Sequence, residues 1–160
     1  MGAFEIHGGR ALRGTIVPQG AKNEALQVLC AALLTDRPVT YHNVPDIRDV
    51  NLLLELLADM GVQVDKPAPG TVTLQAVAVD LNFFSGETFK RKSGRLRGAV
   101  MLAGPMLARF RRAQIPQPGG DKIGRRRLDT HIRGFGRSSS SSTSRRRSWR
   151  APISTSTSHR

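Results

Sequence analysis

A single cysteine, Cys30, occurs in 160 residues, so no internal disulfide can form and a reducing compartment, the cytoplasm, is the expected setting. Aromatic residues make up only 5% of the chain; any core must be built from Leu, Val, Ile and Ala. No apolar run reaches the roughly 18 residues a membrane span needs. The opening MGAFEIHGG has no basic stretch leading into an apolar one, so it does not read as a secretory signal. Clustered Cys and His are absent, which argues against a metal centre, and His7, His42 and His131 lie far apart. No GxxxxGK[ST] phosphate loop occurs. Acids are missing altogether after Asp129.

What is there is unevenly spread. The formal net charge of +13 suggests a nucleic-acid binder at first sight, but its distribution argues otherwise. Residues 1–89 hold six Lys and Arg against ten Asp and Glu, residues 90–136 hold thirteen against two, and residues 137–160 hold six against none. The first half is an ordinary acidic domain piece. The middle is a focused cationic stretch, and the end is a separate object.

Apolar alternation at Phe4 and Ile6, and again around Ile16, predicts two short strands about the GGRA turn. NEALQVLCAALLT predicts a buried helix and VTYHNV a strand. Asp46 stands where it can cap a second helix, IRDVNLLLELLADM, with an apolar stripe of Leu52, Leu53, Leu56, Leu57 and Met60 that Gly61 stops. VQVDK and TVTLQAV predict strands around PAPG. KSGRLRGAVMLAGPMLARF predicts a third helix interrupted or ended near Pro105, and AQIPQP a further strand. The order is that of a mixed α/β domain.

Three places in this layout suit an anionic small molecule. QGAKN puts Lys22 and Asn23 at the start of a helix, where unpaired N–H groups and the helix dipole favour phosphate; a solvated turn lysine is the ordinary alternative. GRLRGAV sets Arg95 and Arg97 beside an apolar run, where an arginine either snorkels or binds two oxygens with its fork. The loop PGGDKIGRRRLDTH surrounds one acid, Asp121, with Lys122, Arg125, Arg126 and Arg127. Its glycines permit closure over a ligand. Neutralising the cations and desolvating Asp121 would raise its pKa and fit it to deliver a proton. A solvated hairpin loop is the alternative there.

Together QGAKNEAL, HNVPDIRDVN, LRGAVMLAGPMLARF and PGGDKIGRRRLDTHIRGF resemble the N-terminal part of the enolpyruvyl transferases that act on UDP-N-acetylglucosamine. The resemblance covers Met1 to about Phe135. It implies an α/β fold of repeated βαβαββ units, incomplete here, forming two domains that close over a cleft. Residues 1–21 would be strands of the domain built mainly by the C-terminal half, and residues 22–136 part of the other domain with its active-site loop. It implies transfer of enolpyruvyl from phosphoenolpyruvate to the sugar 3-hydroxyl of UDP-N-acetylglucosamine, releasing phosphate, as the first committed step of peptidoglycan synthesis. No metal or organic cofactor is implied, nor any membrane partner. Lys22 and Asn23 match the pair that contacts both substrates. Arg97 and Arg126 match arginines that hold phosphoenolpyruvate. Asp129 falls in the segment lining the uridine end. Asp121 stands where many members have the cysteine alkylated by fosfomycin. An aspartate keeps the general-acid role and is a poor nucleophile toward an epoxide.

The resemblance ends before RSSSSSTSRRRSWRAPISTSTSHR. Residues 137–160 cannot bury a core and are expected to be disordered. One reading makes them an Arg/Ser-rich nucleic-acid-binding tail, and the chain a small basic nucleic-acid-binding protein. The other is a shifted reading frame. Ser-Thr-Ser-Thr can be encoded so that a two-letter shift reads Asp-Leu-Asp-Phe, an alternating strand pattern. The codon arithmetic favours the second reading, and the acidic first half and scarce aromatics count against the first. On either, the chain alone is expected to be inactive and only partly folded.

Overall fold

A computed structural model of the chain describes residues 3–11, 13–114, 130 and 133–134. Helix α1 (Lys22–Ala31) runs into a 3-10 turn at Ala32–Leu34 and is followed by β1 (Val39–Tyr41). Helix α2 (Arg48–Asp59) leads to the hairpin β2 (Gln63–Ala68) and β3 (Thr71–Gln75). Three helical pieces close the described fold: α3 (Glu87–Ser93), a 3-10 segment at Arg97–Leu102, and α4 (Ala103–Phe110).

The sheet order is β1-β3-β2, with both outer strands antiparallel to β3. β1 and β2 therefore run parallel to each other with β3 between them, and α2 is the crossover. Register pairs Val39 with Leu74 and Tyr41 with Val72, which puts the apolar members on one face. Thr40 and Thr73 face the other way, and their hydroxyls meet at 3.0 Å. Pro67 has no N–H to give a ladder. It sits in the outer strand β2, in the irregular stretch between Asp65 and Ala68.

The core lies between this face and the helices. Leu29, Leu33, Leu53, Leu56, Leu57, Met60, Leu74 and Met106 are fully buried. The stripe read along α2 is this core, with Val50 and Leu54 added and Leu52 only partly buried. Phe89 of α3 packs edge-on against Phe83 and Phe84, so three of the eight aromatics form one cluster at α3.

Four local expectations are corrected. α1 is buried on one face only: Ala25, Leu26, Leu29 and Cys30 are inside, and Val28 and Leu34 are exposed. Asp46 does not cap α2; its carboxylate accepts from the Asn51 side-chain amide at 2.7 Å, and Ile47 holds the cap position without a side-chain bond. Pro105 does not end a helix. It is the third residue of α4, where its missing N–H is one the first turn leaves unpaired anyway. The break falls earlier, at Gly94–Leu96. Finally, residues 3–11 and 13–20 form no strand, and Phe4, Ile6, Ile16 and Val17 are 86–98% exposed. Alternation marks a strand only where another strand supplies the ladder, and none pairs with this segment among the described residues. The strand expected from AQIPQP lies, from Ile115 onward, outside the described residues, as do residues 135–160.

Candidate active site

Gly20 fixes how the chain enters α1. A Cβ there would sit 1.9 Å from the Asn43 carbonyl oxygen and 3.3 Å from the Pro45 ring, so no larger residue fits without moving backbone. Asn43 itself is left-handed, with φ 57°, a conformation asparagine tolerates better than most. The next residue, Val44, donates its N–H to the Gly70 carbonyl at 2.8 Å. Three loops are thereby locked together: the one before α1, the one between β1 and α2, and the β2–β3 turn.

This lock brings the N-termini of α1 and α2 together. Lys22 is the first residue of α1, and its ammonium donates to the Asp49 carboxylate at 2.6 Å. Asp49 is the second residue of α2, where the helix dipole favours an acid. The two side chains are 50% and 37% exposed, so the pair borders solvent. Asn23 is exposed beside Lys22, and among the described residues no side chain caps α1.

Arg97 begins the 3-10 segment and is half-buried. That segment packs on α1. The decisive contact is Gly98, whose missing Cβ would lie 3.0 Å from Leu26. Leu26 is one turn beyond Lys22 and on the same side of α1, so the arginine turn presses against the face that carries Lys22. Sequence distance between Lys22 and Arg97 is thus closed by one small residue. Asp121, Arg126 and Asp129 lie outside the described residues. Among the described residues no group of three or more His, Cys, Asp or Glu could hold a metal, and no helix is long and apolar enough to cross a membrane.

The family profile described as EPSP synthase (3-phosphoshikimate 1-carboxyvinyltransferase) matches residues 6–159. The chain belongs to this family of enolpyruvyl transferases. Curated relatives named UDP-N-acetylglucosamine 1-carboxyvinyltransferase include that of Bacteroides fragilis, 55% identical over 135 residues, or 84% of this chain and 31% of the relative. That of Porphyromonas gingivalis is 54% identical over the same shares. That of Bradyrhizobium diazoefficiens is 43% identical over 129 residues, covering 81% and 29%. The chain therefore spans about a third of the length of the curated relatives it matches. Among solved structures, the enolpyruvyl transferase NikO from Streptomyces tendae is similar with a TM-score of 0.52 at 26% identity, over 64% of this chain and 23% of that one. The α/β fold expected from the sequence is that of the enolpyruvyl transferases. None of these relatives favours the nucleic-acid reading.

Sequence reading singled out the phrase HNVPDIRDVN without giving Asp49 a role, and it missed Gly20 as a spacer. The signal for Asp49 was an acid in the first turn of a helix. Nothing in the sequence announced that Lys22 would be its partner.

Proposed function

We propose that this chain carries one wall of the site of a UDP-N-acetylglucosamine 1-carboxyvinyltransferase, which moves an enolpyruvyl group from phosphoenolpyruvate to the sugar 3-hydroxyl and so commits sugar nucleotide to peptidoglycan. The observation that carries this reading is the 55% identity over 84% of the chain to a relative of that name. The packing of the segment that begins at Arg97 against Leu26, one turn beyond Lys22 on α1, supports it.

In this reading the α1 N-terminus, Lys22 and Arg97 hold anionic oxygens of phosphoenolpyruvate, and Arg126 adds a forked contact to its phosphate. Asn23 hydrogen-bonds the sugar nucleotide, and Asp129 belongs to the uridine end. Asp121 in its carboxylic-acid form gives a proton to C3 of phosphoenolpyruvate as the sugar oxygen bonds to C2. The tetrahedral adduct then breaks its C2–O bond to phosphate and loses a proton from C3, restoring the double bond. The hydroxyl proton needs a base, which in this reading comes from the part of the fold that the relatives supply beyond this chain's span.

A chimera tests the proposal. Residues 1–135 replace the matching part of the Bacteroides fragilis relative, and phosphate release and the enolpyruvyl sugar nucleotide are measured. Activity that disappears with Asp121→Ala is expected. A folded chimera that binds neither substrate overturns the proposal.

A further inference from the structure

We propose that Asp49 is the internal counter-ion that a substrate phosphate must displace from Lys22, and that it thereby sets the site's affinity for phosphate. The inference rests on the reading of Lys22 given under Proposed function and adds a residue to it. Two features of the pair carry it. The contact is short, 2.6 Å, and both charges are ionic partners; it holds the head of a flexible four-carbon side chain. Yet both side chains border solvent, and a solvent-exposed ion pair is weak and exchangeable. A bound carboxylate of this kind keeps an ammonium in place while the site is empty and gives way to a stronger anion.

The backbone makes the arrangement specific. Asp49 is held at the second position of α2, and Lys22 at the first position of α1. Gly20 against the Asn43 carbonyl fixes the loop between them. A merely bracing ion pair would tie the two helix ends and nothing more. This one occupies the cation that stands at a helix N-terminus which no described side chain caps, beside the turn bearing Arg97. A dianionic phosphate there gains the helix N–H groups as well as the ammonium, whereas Asp49 has only the ammonium to lose. The carboxylate thus opposes anion binding and discriminates against weak monoanions.

The test uses the full 160-residue chain with inorganic phosphate and phosphoenolpyruvate as probes, binding followed by calorimetry and folding by far-ultraviolet circular dichroism. Asp49→Asn keeps shape and removes the charge. It is expected to tighten phosphate binding about threefold to tenfold, Asp49→Glu to restore wild-type affinity, and Lys22→Met to weaken binding at least tenfold. In the wild-type chain, phosphate is expected to move the Asp49 side-chain carboxyl carbon resonance, a readout that does not depend on any variant folding. Unchanged or weaker binding by folded Asp49→Asn overturns the inference and leaves the reading of Lys22 standing, provided Lys22→Met still loses affinity. An unmoved Asp49 resonance at saturating phosphate overturns it equally. If the folded wild-type chain binds neither probe, the reading of the site fails and the inference falls with it.

Discussion

Arg109 is the residue on which several elements depend at once. From α4 its guanidinium nitrogen donates to the carbonyls of Leu33 at 3.1 Å, Thr35 at 2.8 Å and Ala76 at 2.8 Å, tying the end of the first helical segment to the end of β3. The group also lies 4.9 Å above its neighbour Phe110, a cation–π distance. Hydrogen bonds to a charged donor are worth about 1.5–3 kcal/mol each in favourable cases, though one nitrogen cannot serve three acceptors at full strength. Arg109→Met is expected to lower unfolding stability by about 2–3 kcal/mol, read from urea denaturation. Cys30 is a different case. It is buried, its thiol donates to the Leu26 carbonyl, and burial pushes its pKa up from 9.0 to about 12. Tyr41 is pushed upward too, first by burial and then by Cys30. The unfolded chain loses the Cys30 proton near pH 9 and the folded chain keeps it, so stability falls as pH rises from about 9 toward 12, by about 1.4 kcal/mol per pH unit from this group. Native Cys30 is expected to resist thiol alkylation at pH 8 and to react fully in denaturant. Asp121, by contrast, is proposed to stand where the resemblance implies a reactive cysteine in many members. The chimera is therefore expected to resist fosfomycin and Asp121→Cys to restore inhibition; a covalent adduct on Asp121 by mass spectrometry would count against this.

At the level of elements, the stop of α2 shows how far sequence carries. Gly61 was legible as a terminator because glycine adopts the left-handed geometry that ends helices. The structure gives that geometry, φ 91°, with Gly61 N–H donating to Ala58 at 2.9 Å and Val62 N–H to Leu57 at 3.0 Å. What sequence did not reveal is the second constraint: a Cβ on Gly61 would lie 2.5 Å from the Ala78 carbonyl oxygen. Strain and clash act together, so Gly61→Ala is expected to cost about 2–3 kcal/mol, measured by thermal or urea unfolding, more than a simple glycine-to-alanine change in a turn. The apolar stripe of α2 and the β2–β3 hairpin were legible for the same local reason, since period and turn residues are set within a dozen positions. The helical stretch around Pro105 was not. Proline speaks only to N–H loss, which is harmful inside a helix and harmless in its first turn. Which of those applies depends on where the preceding segment packs, and that is decided by Gly98 against Leu26.

For the whole molecule, the net charge misleads and its distribution informs. The +13 total suggests nucleic acid, while the net-acidic residues 1–89 and a cation excess confined to residues after Phe89 argue against it. In the first segment, Phe4 and Ile6 alternate like a strand and yet stand in solvent. Pairing of Lys22 with Asp49 and the approach of Arg97 were beyond sequence because both depend on loops meeting across distances of 27 residues or more. The remaining question is catalysis by the chain on its own. Addition of the sugar hydroxyl to phosphoenolpyruvate needs three things in one place: a held phosphate, a proton donor and a base for the hydroxyl. By proposal Lys22 and Arg97 offer the first, and Asp121 the second. The third belongs to none of the proposed residues, and the chain matches 31% of the length of its relatives. A single missing group that acts only in the transition state lowers turnover by factors of about 100 to 10,000, and an open wall also admits water and loses the ordering of two substrates. The 160-residue chain is therefore expected to bind phosphate and yet release none from phosphoenolpyruvate and UDP-N-acetylglucosamine above the no-enzyme rate. A phosphate-release assay at high protein concentration checks this, and measurable turnover would mean that residues within this span supply the base.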